Sequence, residues 1–210
     1  MTTATDTRES LSAALKTSTA EAHDKAEHSV FMDELLAGKL SVADFIALQE
    51  QSWLFYSALE DAARAVVDHP LASGIVDPAL ERVNALEHDL DHLHSSTEWR
   101  TTVTPLPATA EYIARLNDIE ETKDVARLLA HHYVRYLGDL SGGQVIGRMM
   151  QRHYGVSDEC VTFYRFAEIP KYRAALDALP IDAADRERLL AEATDAFLLN
   201  LNLFNALGAR

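Results

Sequence analysis

Cysteine occurs once in the 210 residues, at Cys160, which leaves no partner for an internal disulfide and no thiolate set for a zinc ribbon. A lone thiol of this kind reads as a small core residue and fits a reducing, cytoplasmic compartment. Basic residues are also few: 19 Lys and Arg stand against 33 Asp and Glu, a formal net charge of −14. Nucleic acid and anionic lipid both reward positive surfaces, so neither is an expected partner, and an acidic ligand needs a local cationic pocket. Unbroken apolar runs reach only about four residues, as at Phe45 to Leu48, far short of the ~20 of a membrane-spanning helix. The opening MTTATDTRES lacks the apolar stretch of a secretory signal, and residues 1–8 read as a flexible tail.

Glycine (eight) and proline (six) are sparse too, and no alternating strand pattern bounded by turns is present. What is present is apolar spacing of three and four residues over long stretches, so the expected fold class is all-α. The spacing predicts helices at roughly 8–27, 29–37, 41–68, 79–94, 108–119, 122–154, 157–166, 170–178 and 183–207, with Ser41 and Asp182 at N-cap positions. Breaks are expected at Gly38 to Leu40, between Pro70 and Pro78, from Thr101 to Pro107, and at Pro170 and Pro180. In the last helix Leu190, Ala193, Phe197, Leu201 and Phe204 form one apolar stripe for packing against neighbours. With 48% hydrophobic residues and no long linker, the chain reads as one domain, 1–210.

Four of the eight glycines, Gly138, Gly142, Gly143 and Gly147, crowd into ten residues of an otherwise helical segment. Each interior glycine costs about 1 kcal/mol relative to alanine, so the four together cost roughly 3–4 kcal/mol and need a compensating purpose. One reading is close helix packing through the Gly138 and Gly142 pair. The other is a kinked helix whose bare backbone lies against a flat ligand. Asp139, a carboxylate between Leu137 and Leu140, is either a solvated residue or a polar group placed for ligand chemistry.

Nine histidines are many for this length. His88, His92 and His94, in the acidic run EHDLDHLH, read as an exposed face where a metal would bind only weakly and opportunistically. The Glu-x-x-His pairs of a di-iron carboxylate protein are missing; Asp89-x-x-His92 comes near but carries an aspartate. His131 and His132, being adjacent, face different ways. His23 shares a helical face with Glu27 at i+4 and Lys16 at i−7. Such a face can hold a metal through His23 with Glu27 near the other ring nitrogen, but on the residues alone it is more often the pattern of an ordinary surface His–Glu pair.

Taken with its surroundings, Arg135-Tyr-Leu-Gly-Asp-Leu-Ser-Gly-Gly-Gln144 is similar to the distal-helix signature of the heme oxygenases over ten consecutive positions, with Tyr133 just before it. The segment AEAHDKAE resembles that family's proximal-helix motif, and AFLLNLNLF, from Ala196 to Phe204, a third family segment. The likeness runs from first helix to last and is greatest to the small soluble bacterial members. It implies a single-domain, multi-helix bundle with heme between the first helix and a glycine-kinked distal helix. His23 is then the axial iron ligand and Glu27 its partner. Gly138, Gly142 and Gly143 bring backbone close to the porphyrin, and Asp139 anchors ordered water with Tyr56, Arg135 and Asn200. Phe197 and Phe204 form apolar wall, and Lys16, Tyr133, Lys171 and Arg173 meet the propionates. The sequence departs from the family at FYRFAEIPKYRAAL, which is several residues short and places Lys171 directly before Tyr172.

The activity so implied is cleavage of heme, both substrate and cofactor, to biliverdin, carbon monoxide and ferrous iron through a ferric hydroperoxide. It consumes dioxygen and electrons from a ferredoxin- or flavoprotein-type donor. A heme carrier that holds the porphyrin intact is the alternative, needing His23 but not Asp139. A thiamin-degrading enzyme would want a catalytic cysteine near acidic partners, and Cys160 has no obvious catalytic setting; a di-iron oxidase lacks its ligand motifs.

Overall fold

The computed structural model describes residues 9–166 and 172–210, and among these the secondary structure is entirely helical. The α-helices are α1 (Leu11–Glu27), α2 (Val30–Leu36), α3 (Val42–Ala65), α4 (Val83–His94), α5 (Trp99–Thr102), α6 (Pro107–Thr122), α7 (Val125–His132), α8 (Gln144–Tyr154), α9 (Tyr172–Asp177) and α10 (Ala183–Gly208). The expected tail, residues 1–8, and Lys171 lie outside the described residues.

Side-chain caps set the starts of several helices by satisfying orphan amides. Ser41 and Asp44 form a reciprocal capping box on α3, and Asp182 accepts from Asp185 N at the start of α10. Both caps stand where the sequence placed them. Gly38 ends the α2 segment with φ of +70°, and a Cβ there would lie 2.8 Å from the His153 ring, so backbone conformation and space both demand glycine.

Helix α10 packs on α1 and α7, while α3 packs on α6 and α4. Between them lies a core that includes Leu15, Leu35, Phe45, Phe55, Tyr112, Leu116, Leu189 and Leu203, each essentially without solvent contact. The fully buried stripe of α10 runs through Leu189, Ala193, Ala196, Leu199, Leu203 and Leu207. This corrects the sequence-derived stripe: of that set only Ala193 is buried, and Leu190, Phe197, Leu201 and Phe204 are half-buried. The reason is that Phe197 and Phe204 border a cavity instead of a neighbouring helix.

Three other expectations need correction. Residues 157–166 form two 3₁₀ turns, Asp158–Cys160 and Thr162–Tyr164, not an α-helix. The buried Asp89 carboxylate on α4 accepts from Thr162 N and Phe163 N, both at 2.9 Å, and so takes amides that a continuous helix would use internally. A 3₁₀ turn at Pro78–Leu80 precedes α4, which starts at Val83 because Glu60 accepts from the Val83 amide at 3.0 Å. The stretch expected to be irregular from Thr101 begins inside the short α5, where Trp99 is buried against Trp53.

The segment from Val125 to Tyr154 is one continuous rod with a change of gauge. After α7 it widens into two π-helical turns, Tyr133–Leu137 and Asp139–Gly143, before α8 resumes α geometry. π turns are rare and occur mostly at functional sites, where they bend or widen a helix.

Candidate active site

The widened rod faces α1 across a cavity of about 770 Å³, continuous with an inner chamber of about 300 Å³. Both spaces share His23, Glu27, Val134, Gly138, Gly142 and Phe197 as walls. These sizes fall in the range of small-molecule and cofactor sites.

The four clustered glycines divide into two pairs. A Cβ on Gly138 or Gly142 would meet nothing within 4 Å. On Gly143 it would lie 3.1 Å from the Tyr164 ring, and on Gly147 3.3 Å from Tyr164 Cβ. Close packing therefore accounts for Gly143 and Gly147. Gly138 and Gly142 instead keep their side of the rod bare toward open space, the condition a flat ligand lying on backbone requires. Gly143 also borders the inner chamber, although its tightest neighbour is Tyr164.

Opposite this bare backbone stands His23 on α1, its side chain about half exposed and its ring edge-on to Phe197 at 5.2 Å. Its Nδ1 lies 3.6 Å from Glu27 Oε2, one turn on, which leaves Nε2 for a ligand. Lys16, two turns back, and Arg173 at the start of α9 are exposed and line the outer cavity with the half-buried Tyr133. Burial raises the Tyr133 phenol, and the nearby Arg173 charge opposes the rise. Arg173 is carried there by its neighbour: the Tyr172 hydroxyl and His132 Nδ1 share a hydrogen bond at 2.7 Å, with the two rings stacked. Burial holds His132 down at about 3, so the ring is neutral and free to accept.

Asp139, Arg135 and Asn200 border the inner chamber. Tyr56 is fully buried behind them, and its hydroxyl donates to Asp139 Oδ2. Arg135 donates from Nε to the Tyr56 hydroxyl at 3.2 Å and from Nη1 to Asn200 Oδ1 at 2.8 Å. Its Nη2 lies 3.6 Å from Asp139 Oδ1. Burial raises the Asp139 carboxyl above its usual range, and the Arg135 charge and the Tyr56 hydrogen bond offset only part of the rise. The result is a carboxyl fixed from behind and open toward the chamber on its other side.

Sequence reasoning missed several participants. Phe163 and Tyr164 wall the inner chamber, held there by the Asp89 clamp. Behind Arg135 and Asn200, Tyr112 meets His131 Nδ1 at 3.3 Å, and His131 Nε2 donates to Glu192 at 2.8 Å. Burial lowers His131, and a neutral ring fits both contacts. The only sequence signal for this chain was a pair of histidines in an apolar helix, with no indication of Glu192 sixty residues away.

A helical protein with a cavity bounded by an imidazole on one side and bare glycine backbone on the other, cations at the outside and a buried carboxyl within, belongs to the class that holds a flat, anionic, metal-bearing ligand. Comparison with known proteins makes the class specific. The heme oxygenase family profile matches residues 9–206. Heme oxygenase 1 of Synechocystis sp. is 36% identical over 94% of this chain and 84% of its own length, and heme oxygenase 1 of Gallus gallus is 36% identical over 94% and 69%. The structure of the Synechocystis protein in complex with heme superposes with a TM-score of 0.89, covering 95% of this chain and 93% of that one at 36% identity. The heme oxygenase of Leptospira interrogans gives 0.86, covering 93% and 98% at 33% identity. The chain belongs to the heme oxygenase family, enzymes that degrade heme to biliverdin.

Proposed function

We propose that this chain, acting as a single domain, binds heme in the cavity between α1 and the π-widened rod and opens it to biliverdin, carbon monoxide and ferrous iron. The observation that carries the reading is the open space over Gly138 and Gly142 directly across from His23. The residues present fit the substrate: a neutral nitrogen ligand, a flat slot, apolar walls from Phe197 and Phe204, and cations for carboxylates. His23 holds the iron through Nε2, with Glu27 near Nδ1 to fix the ring. Lys16, Arg173 and the Tyr133 hydroxyl bind the propionates; Lys171 is a further candidate for that role. When bound, heme supplies both the iron that activates dioxygen and the carbon that is oxidised.

The protein's part is to direct protons and keep the ligand in place. Asp139 accepts hydrogen bonds from water in the inner chamber on its free side, while Tyr56 and Arg135 hold it from behind. Its raised proton affinity suits a group that passes protons through that water without touching the metal. Arg135 and Asn200 complete the polar wall, and Phe163 and Tyr164 exclude bulk water. Electrons come from a separate ferredoxin- or flavoprotein-type donor. No described helix is long and apolar enough to cross a membrane.

Hemin incubated with the protein, a reductant and air tests the reading. Carbon monoxide and a green bilin product are expected; an unchanged Soret band would mean a carrier. Asp139→Ala is expected to bind hemin and form no biliverdin, and biliverdin at an undiminished rate would remove Asp139 from the proton path. His23→Ala is expected to lose the imidazole-type heme spectrum.

A further inference from the structure

On the outer side of α4, away from the residues assigned to heme, His88 and His92 stand one helical turn apart, and the fold brings Glu159 against them from the turn Asp158–Cys160. We propose that these three side chains form a second metal site, a surface site for a divalent first-row transition ion of the zinc type.

The donor set is two imidazoles and one carboxylate, which suits zinc and related ions far better than calcium or magnesium. One ligand atom from each residue lies within 4.8 Å of the other two, and His88 Nε2 is already 2.8 Å from Glu159 Oε2. An ion bonded at about 2.0–2.1 Å needs donors about 3.3 Å apart, a closure that exposed side chains reach by small rotations.

Two features go beyond proximity. His92 Nδ1 lies 2.8 Å from the His88 carbonyl oxygen, which can only accept, so Nδ1 carries the proton and Nε2 presents its lone pair outward. This is the way metal-ligating histidines are commonly oriented. Second, the Glu159 turn is held near α4 by a buried device: Asp89, between the two histidines in sequence, binds the amides of Thr162 and Phe163. The site is therefore organised before any ion arrives. Three protein ligands leave a fourth position for water, and the excess of acidic residues favours cation approach. An ion here fastens the outside of the strap whose inner residues, Phe163 and Tyr164, wall the chamber.

The test is calorimetric titration of tag-free protein, loaded with hemin to occupy His23, with zinc chloride. One equivalent is expected to bind, and His88→Ala, His92→Ala and Glu159→Gln are each expected to weaken binding by about tenfold or more. His94→Ala, altering a neighbouring histidine bonded to Glu50, is expected to bind as the unaltered chain does. Zinc is also expected to raise Tm for the unaltered chain and not for His92→Ala, because the ion joins two elements. All three ligands are exposed, and circular dichroism and hemin uptake verify that each variant is folded. The absence of stoichiometric zinc binding, or unchanged affinity in the three variants, would overturn the proposal.

Discussion

Gly142 and Gly143 are chain neighbours with opposite surroundings, and the same substitution separates them. A leucine at Gly142 enters open space and gains up to ~1 kcal/mol of helix propensity, so the variant is expected to be at least as stable as the unaltered chain and to lose hemin binding. A leucine at Gly143 must displace Tyr164, at an overpacking cost of about 1–3 kcal/mol. Denaturant unfolding and hemin titration measure the two effects side by side. Equal destabilisation of both variants would mean that the rod is not bare where the cavity requires it. At this scale much was legible: glycine clustering drew attention to the stretch that lines the cavity, and spacing placed Lys16, His23 and Glu27 on one face, which borders the same cavity. Composition could not say which glycines face space and which face Tyr164, because that ring arrives from a turn some twenty residues later.

Among the elements, α9 is held by the buried contact of Tyr172 with His132, by Leu176 in the core and by Asp177, which accepts from Ser12 N at 2.8 Å and Ser12 Oγ at 2.9 Å. Free histidine titrates near 6.5, whereas burial holds His132 at about 3. Between these values the unfolded chain binds a proton that the native chain does not, so the contribution to stability is complete above pH 6.5 and is lost as pH falls toward 3. The expected slope is about 1.4 kcal/mol per pH unit, read from urea midpoints between pH 7 and pH 5. Replacing both partners with phenylalanine is expected to reduce that slope, the share of the buried His131 remaining, and, by loosening the start of α9, to weaken hemin binding through Arg173. Helix periodicity gave α1, α3 and α10 nearly whole, because their buried faces repeat every three or four residues. It could not give the π turns, whose pattern differs little from 3.6 over five residues. Nor could it give the 3₁₀ turns after Ser157, where a carboxylate seventy residues earlier outcompetes the local ladder.

For the molecule as a whole, Glu192 ties three helices together. Its carboxylate on α10 receives Arg115 from α6 at 2.7 and 2.6 Å, and Arg127 and His131 from α7 at 3.1 and 2.8 Å. Burial pushes Glu192 up, yet these donors together outweigh it and hold the carboxyl at about 2. Its contribution is present above the unfolded glutamate range, about 4.3, and disappears as pH falls through the window down to about 2. Glu192→Gln keeps the shape but leaves Arg127 and Arg115 only their outer partners, Asp118 at 2.7 Å and Asp195 at 3.3 Å, so a loss of about 2 kcal/mol at pH 7 is expected, with acid unfolding less steep below pH 4.5. Thermal unfolding across that range checks both. The helical class was evident from the three- and four-residue apolar spacing, and the acidic net charge from composition alone. This hub was not, since His131 and Glu192 are 61 positions apart and share no local pattern.

The π-widened stretch has a consequence for traffic. Between two ordinary helices lies a wall segment with π-type hydrogen bonding and bare backbone at Gly138 and Gly142, and it is expected to be the part of the rod that opens most readily. Amides of residues 133–143 are expected to exchange with deuterated solvent faster than those of α7 and α8. An opened tetrapyrrole is no longer flat and fits a slot for a planar ring less well, so on the proposed reading a wall that loosens locally is expected to give it an exit while the bundle stays folded.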